Sequence, residues 1–379
     1  MALRCKAAIL RTMGAERPYA RSQPIVIEEV TIDEPRAGEI LVKISGAGLC
    51  HSDLSIINGS RPRPLPLAMG HEGAGVVAAV GDGIRDVTVG DHIVFQFSAS
   101  CGRCRYCQEG RPQICERARA ATSKGELMGG GRRIKDKSGI AIAHQAGISC
   151  FAEYAVVDRG SVVVVDKAVL LDDAAVYGCA VMTGVGAVVN SARIRAGDTV
   201  AIIGLGGVGL SGVLGAVLSG AGEVIAIDID PRKLERAKSF GATHTFVANA
   251  PDTIEQVRQL TRGGVDFAID LAGAIPAMDL AYAITGRGGT VVTAGLSPSG
   301  ARFSFEQSEL VSTEKAIRGS YMGSCVPVRD IPRFIALQQQ GRLPVERLID
   351  RKIGFAEINE GFDLLDSGSA VRQILVPSL

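Results

Sequence analysis

Thr199-Val200-Ala201-Ile202-Ile203-Gly204-Leu205-Gly206-Gly207-Val208-Gly209 opens a stretch that runs to Asp228, TVAIIGLGGVGLSGVLGAVLSGAGEVIAID. The first five residues are apolar and β-rich, a run that suits a strand buried on both faces of a parallel sheet. Gly204 to Gly209 then match G-x-G-x-x-G. Small and apolar residues continue at helical spacing to Ser219, and Gly220 and Gly222 mark the stop. A second apolar run, Val224 to Ile227, ends on Asp228.

Each part of this stretch has a physical task. Gly204 lets the strand turn sharply, Gly206 leaves room for a pyrophosphate beside the backbone, and Gly209 lets the helix pack close to the sheet. The unpaired N–H groups at the start of the helix, those of Gly207 and Val208 among them, face the phosphates. Asp228 stands where a carboxylate accepts both ribose hydroxyls of an adenosine and repels a 2′-phosphate, so the expected cofactor is NAD rather than NADP. The G-x-G-x-x-G alone is weak; strand, motif, helix, strand and terminal acid in this order are strong. Pro231 to Lys238 starts the next helix, with Arg232 or Lys233 as candidates to reach the adenosine ribose. Val265–Asp270 and Gly289–Gly295 read as further buried strands with a helix, Pro276 to Thr285, between them. Alternating strands and helices predict an α/β, doubly wound parallel sheet.

The rest of the chain is different. Ile25 to Ile44 reads as short strands with a turn at Asp33 to Gly38, which is β-meander material and not the start of a nucleotide-binding sheet. With 379 residues there is room for two cores. The 41 basic and 40 acidic residues leave a net charge of +1, which gives no argument for nucleic acid or an anionic membrane as partner. No apolar run approaches the ~20 residues that span a bilayer, and the N-terminal segment has no uninterrupted apolar core. A cytoplasmic location is expected.

Nine cysteines are present, and four crowd into fifteen residues: Cys101, Cys104, Cys107 and Cys115. Without an export signal such crowding points to metal rather than disulfides. Four thiolates on one compact loop form a closed tetrahedral site, which predicts a structural zinc. From Cys101 to Arg119 five arginines face two glutamates, a net +3, and these arginines are expected to offset the −2 of a four-thiolate zinc centre. Elsewhere Cys50 lies in Gly48-Leu49-Cys50-His51-Ser52-Asp53, His71 in Gly70-His71-Glu72-Gly73, and Cys179 far downstream. One His and two Cys make a three-ligand zinc site with an open fourth position, the pattern of a catalytic zinc. Taken singly, each of these residues reads as structural; the case rests on the combination.

Together the motifs GLCHSD, GHEGAGVV, GDHIV, CGRCRYC with Cys115, and GLGGVGL make the chain resemble, essentially end to end, the zinc-dependent alcohol dehydrogenases of the medium-chain dehydrogenase/reductase family. The resemblance implies a GroES-like, mainly β catalytic domain at 1–180 and 321–379, split around a Rossmann NAD-binding domain at 181–320. It implies two Zn²⁺ per chain: a catalytic one on Cys50, His71 and Cys179, and a structural one on the four-cysteine loop. Glu72 matches an acid near the zinc that assists ligand exchange, against the blander reading of a turn glutamate. Asp53 matches an acid that orients the histidine ligand, and Ser52 the hydroxyl that holds the substrate oxygen. His51 and Arg372 match basic residues against the cofactor pyrophosphate, and Thr183 a threonine lining the nicotinamide pocket. Phe97 and Phe151 fall near pocket positions. Ser55 stands where many animal members keep a proton-relay histidine, so water is the expected proton carrier, and His144 reads as a loop histidine.

The implied reaction is hydride transfer between a primary alcohol, of aryl, allylic or terpenoid type, and NAD, giving the aldehyde. A first rival is glutathione-dependent formaldehyde dehydrogenase, because Arg119 lies where that group has an arginine for the thiol adduct's carboxylate. A second is a non-catalytic NAD-binding structural protein, against which the seven proposed zinc ligands speak. A homodimer or homotetramer is implied by the family alone.

Overall fold

The computed structural model describes residues 2–379 and divides into two compact units. One comprises Met1–Cys179, Val326–Ile335 and Glu346–Leu379, the other Ala180–Cys325 and Ala336–Val345. Residues 180, 321–325 and 336–345, read from the sequence as part of the first domain, therefore group with the second. Within the second unit the Cys325 thiol donates to the Met182 carbonyl (3.3 Å). Leu343 and Val345 are fully buried.

In the first unit a closed barrel joins the strands Leu3–Leu10, Ile25–Ile32, Ile134–Lys135, Ala141–His144 and Leu67–Ala68. A second, mainly antiparallel sheet is centred on Glu39–Gly48, which pairs with Gly73–Val80 on one side and Tyr154–Asp158 and Gln373–Leu375 on the other. The meander expected from Ile25 to Ile44 is thus two strands, Ile25–Ile32 and Glu39–Gly48, and they belong to different sheets. Strand alternation explains the packing. Ala8 and Leu10 enter one core with Val42, Leu54, Phe95, Phe151 and Phe362, while Ala7 and Ile9 enter another with Val30, Ile134 and Ile142.

The second unit is a six-stranded, wholly parallel sheet in the order His244–Val247, Glu223–Asp228, Thr199–Ile203, Val265–Asp270, Thr285–Thr293, Ala316–Gly319. The chain leaves Thr199–Ile203 in one direction and resumes on its other flank, so the strand order reverses there. In such sheets that reversal marks the ligand crevice. The helix after the glycine motif is Gly207–Leu218, with Gly220 (φ +76°) just beyond its end, as the sequence predicts. The last strand but one begins at Thr285, four residues ahead of the expected Gly289. Thr285 pairs with Val265 before a register shift, a bulge that the sequence Thr-Gly-Arg-Gly-Gly disguises as a turn. Among the described residues no single helix is long and apolar enough to cross a membrane.

Candidate functional site

Cys50 lies just beyond the strand Glu39–Gly48 and caps the helix His51–Ile57. Its sulfur accepts from the Ser52 amide (3.5 Å), and its own amide donates to Asp53 Oδ2 (3.0 Å), which fixes the thiol at the helix start. His71 follows Gly70, whose φ is +97°; a Cβ there would stand 2.4 Å from the Phe151 amide nitrogen, so only glycine lets the chain pass. Asp53 Oδ1 lies 2.7 Å from His71 Nδ1. In the neutral ring that contact places the proton on Nδ1 and leaves Nε2 with a lone pair. Nε2 is buried and has no hydrogen-bond partner. Cys179 follows the short 3₁₀ turn Ala175–Gly178.

One ligand atom from each of Cys50, His71, Glu72 and Cys179 falls within 4.8 Å of all the others, and all four residues are buried. Two thiols, an orphaned imidazole nitrogen and a carboxylate form a donor set that suits Zn²⁺. As bare side chains they titrate against one another. A hydrogen bond from the Cys179 thiol holds Cys50 well below the ordinary thiol range, against its burial, while sharing that proton with Cys50 and burial push Cys179 up. Burial pushes the Glu72 carboxyl up to about 8, with Arg372 pulling it back and Cys50 raising it further.

Arg372, expected against the cofactor, is buried here. Its Nη1 donates to the Leu49 carbonyl (2.7 Å) and lies 3.1 Å from Glu72 Oε2. The contact with Glu72 is one of charge: neither Glu72 oxygen has an aligned hydrogen bond. Ser52 is half-buried on the first turn of the helix and His51 is exposed beside it. Ser55 donates its hydroxyl proton to the His51 carbonyl (2.7 Å). Phe97 meets the His71 ring edge-on, centroids 5.2 Å apart, whereas Phe151 is core, packed near Phe362. His144 is also internal: Nε2 accepts the Arg133 amide (3.0 Å), and burial followed by the Arg133 and Arg132 charges holds its pKa down at about 3.

The ligand atoms of Cys101, Cys104, Cys107 and Cys115 also lie within 4.8 Å of one another. Cys104 Sγ is 3.5 Å from Cys107 Sγ and 3.8 Å from Cys115 Sγ. Sulfurs bound tetrahedrally to one Zn²⁺ stand about 3.8 Å apart. The loop's own apolar cluster is small, with Ala99, Cys115 and Ala118 its buried members, which leaves a metal to hold it. Two of the arginines expected to offset the zinc centre's charge have partners of their own. Arg105 binds Glu109 one turn on (2.6 Å) and Arg111 lies over the Tyr106 ring. Backbone amides face the sulfurs instead: Cys104 N–H donates to Cys101 and Cys101 N–H to Cys115. The amide of Cys107 leads the causes that hold Cys104 down at about 6.

In the second unit Gly204 turns at φ +87°, and a Cβ on Gly209 would lie 1.8 Å from the Gly204 carbonyl oxygen, so helix and turn touch backbone to backbone. A Cβ on Gly206 would meet nothing within 4 Å. That open face beside the amides of Gly207 and Val208, at the start of the helix, fits a pyrophosphate. Asp228 accepts from Leu205 N–H (2.6 Å) and Asp230 N–H (2.9 Å), and Lys233 Nζ stands 4.0 Å away. Arg232 is instead paired with Asp230. Thr183 is half-buried on the helix Ala180–Gly186.

The sequence reading did not single out Gln145, whose side chain reaches Asp53 and the Gly70 amide. It lies 92 positions from Asp53 in no motif, and only the fold brings it there.

A parallel nucleotide-binding sheet, a barrel-like β unit and two clusters of zinc-type donors define a zinc-binding dehydrogenase. The "Alcohol dehydrogenase GroES-like domain" family matches residues 36–167 and the "Zinc-binding dehydrogenase" family residues 207–340. The chain is 37% identical over 364 residues to the S-(hydroxymethyl)glutathione dehydrogenase of Saccharomyces cerevisiae, covering 94% of each. The crystal structure of an alcohol dehydrogenase zinc-binding domain protein from Burkholderia ambifaria superposes with a TM-score of 0.93 at 34% identity, over 99% of both chains. That of benzyl alcohol dehydrogenase from Acinetobacter calcoaceticus does so with a TM-score of 0.92 at 30% identity, again over 99% of both. The chain belongs to the zinc-dependent alcohol dehydrogenases of the medium-chain dehydrogenase/reductase family.

Proposed function

We propose that the chain oxidises a primary alcohol to the aldehyde with NAD as acceptor, using a catalytic zinc on Cys50, His71 and Cys179 and a structural zinc on Cys101, Cys104, Cys107 and Cys115. The observation that carries this reading is the buried, unpartnered Nε2 of His71 facing two thiols. Bound zinc supplies Lewis acidity that lowers the pKa of an alcohol hydroxyl, and bound NAD supplies the hydride acceptor. Asp53 holds the His71 tautomer. Glu72 adds a fourth donor beside the three ligands, one able to assist their exchange. Ser52 offers the hydroxyl that binds the substrate oxygen and passes its proton out to water, since Ser55 is tied to the backbone. The amides around Gly206 bind the pyrophosphate, Asp228 accepts the ribose hydroxyls and Lys233 lies beside it. His51 and Thr183 are assigned to the cofactor.

The substrate is an aryl, allylic or terpenoid alcohol, in line with the likeness to benzyl alcohol dehydrogenase. A second reading, oxidation of S-hydroxymethylglutathione, is favoured by the likeness to the yeast enzyme and by Arg119, exposed on the helix Glu116–Thr122. A panel read by absorbance of the reduced cofactor decides: turnover of benzyl alcohol is expected. Turnover of S-hydroxymethylglutathione without benzyl alcohol would reverse the choice.

The partner proposed is a second copy of the chain. The parallel sheet ends on Ala316–Gly319, exposed along its length, with Ile317 and the nearby-in-sequence Val311 also exposed. An open edge of this kind is a template for pairing. Sedimentation that returned a monomer at micromolar concentration would refute it. No disulfide joins any of the nine cysteines, in keeping with the reducing, cytoplasmic setting proposed.

A further inference from the structure

Asp53 joins two of the three proposed ligands. Oδ2 accepts the Cys50 amide and Oδ1 accepts from the His71 ring. Oδ1 takes a second hydrogen bond from Gln145 Nε2, at 2.5 Å. The other end of the same amide, Oε1, accepts the Gly70 N–H at 2.6 Å. Since a backbone N–H only donates, the atom facing Gly70 is the oxygen and the NH₂ group faces the carboxylate. Gln145 Nε2 is also 3.2 Å from His71 Nδ1.

The glutamine is itself held. It is 4% exposed, and its backbone N–H donates to Ser149 Oγ (3.1 Å), whose hydroxyl donates to the Ala68 carbonyl (2.9 Å). One side chain therefore clamps the segment before His71 to the carboxylate that aims His71 and secures Cys50. With two donors on Oδ1, Asp53 stays an acceptor and cannot swing away from the ring. Mutating groups that orient ligands in this way typically costs about 10- to 100-fold in metal affinity.

We infer that Gln145 is a positioning residue of the Cys50–His71–Cys179 metal site, acting on His71 through Asp53 and through Gly70. The inference rests on the zinc reading above. It concerns a residue that touches neither substrate nor metal.

The test uses the zinc-loaded enzyme and two variants. Gln145→Met removes both hydrogen bonds at similar volume. Gln145→Glu keeps an acceptor for the Gly70 amide but replaces the donor to Asp53 with a second carboxylate, so it isolates the Asp53 contact and provides a second chance of a folded protein. Zinc content, chelator-driven zinc release, thermal unfolding and the visible spectrum of cobalt-substituted enzyme are measured for each. One of two zincs is expected to be held about 10- to 100-fold more weakly in both variants. The cobalt–thiolate bands of that site should shift, while the four-cysteine loop keeps its metal. Zinc release and cobalt spectra equal to wild type, whatever happens to the unfolding temperature, would overturn the inference, as would equal loss from both sites. If Cys50→Ala retains the full wild-type zinc content, the zinc reading itself fails instead.

Discussion

Arg372 lies beneath Glu72, its Nη1 3.1 Å from Oε2, with both side chains withdrawn from solvent. Above about pH 8, where the Glu72 carboxyl gives up its proton, neither group can leave the other without stranding a charge. Truncating one partner of a buried pair costs about 3–5 kcal/mol, much of it the penalty for the charge left behind. In that pH range Arg372→Met is therefore expected to destabilise strongly, and Glu72→Gln in that background to cost little or nothing. Urea unfolding of the two single variants and the double variant above about pH 8 measures the coupling, expected at about 0.5–3 kcal/mol. Strict additivity would mean that the two residues are independent.

Cys50→Ala should lower the zinc content from two ions per chain to one and abolish turnover. NAD binding should survive, because the glycine turn and Asp228 belong to the second unit. Metal analysis and calorimetric titration with NAD separate these outcomes. Normal turnover in the variant would remove Cys50 from the mechanism.

What could be read before the fold was known follows distance along the chain. The glycine turn is local, since Gly204 and Gly209 touch within six residues, and so their spacing carries the motif. The four-cysteine loop is legible for the same reason. Cys50, His71 and Cys179 meet only through the strands Glu39–Gly48 and Gly73–Val80 and the turn before Cys179, so spacing could suggest a site but not build one. Gln145 carried no signal, because a glutamine in a loop acquires meaning only from what faces it. The loop arginines show the opposite error. Net charge proposed a role for Arg105 that a nearer carboxylate, Glu109, claims through an i,i+4 contact.

Asp228 does two jobs that can be separated. Its charge is proposed to exclude a 2′-phosphate, and its oxygen receives the Leu205 amide of the glycine turn. Asp228→Ala should relax the preference for NAD and also loosen the turn. Asp228→Asn keeps an acceptor for Leu205 and removes only the charge, leaving Lys233 free to meet a phosphate. For Asp228→Asn the ratio of kcat/KM for NADP to that for NAD should rise by about tenfold or more, some 1.4 kcal/mol. An unchanged ratio in both variants would show that selectivity lies elsewhere.

His144 gives the stability a pH dependence of known sign. Folded, its pKa is depressed to about 3; unfolded, it returns to about 6.5. Below about pH 6.5 the unfolded chain takes up a proton that the folded chain refuses, so this contribution is whole above that pH and drains away as pH falls toward 3. One proton sets the limit at about 1.4 kcal/mol per pH unit. His144→Asn offers an oxygen to the Arg133 amide and has no proton to gain. The difference between wild type and variant cancels the other titrations. Urea midpoints taken between pH 7.5 and about pH 5 should therefore fall more steeply for wild type than for the variant, and parallel curves would show that His144 is protonated as readily inside the fold as outside it.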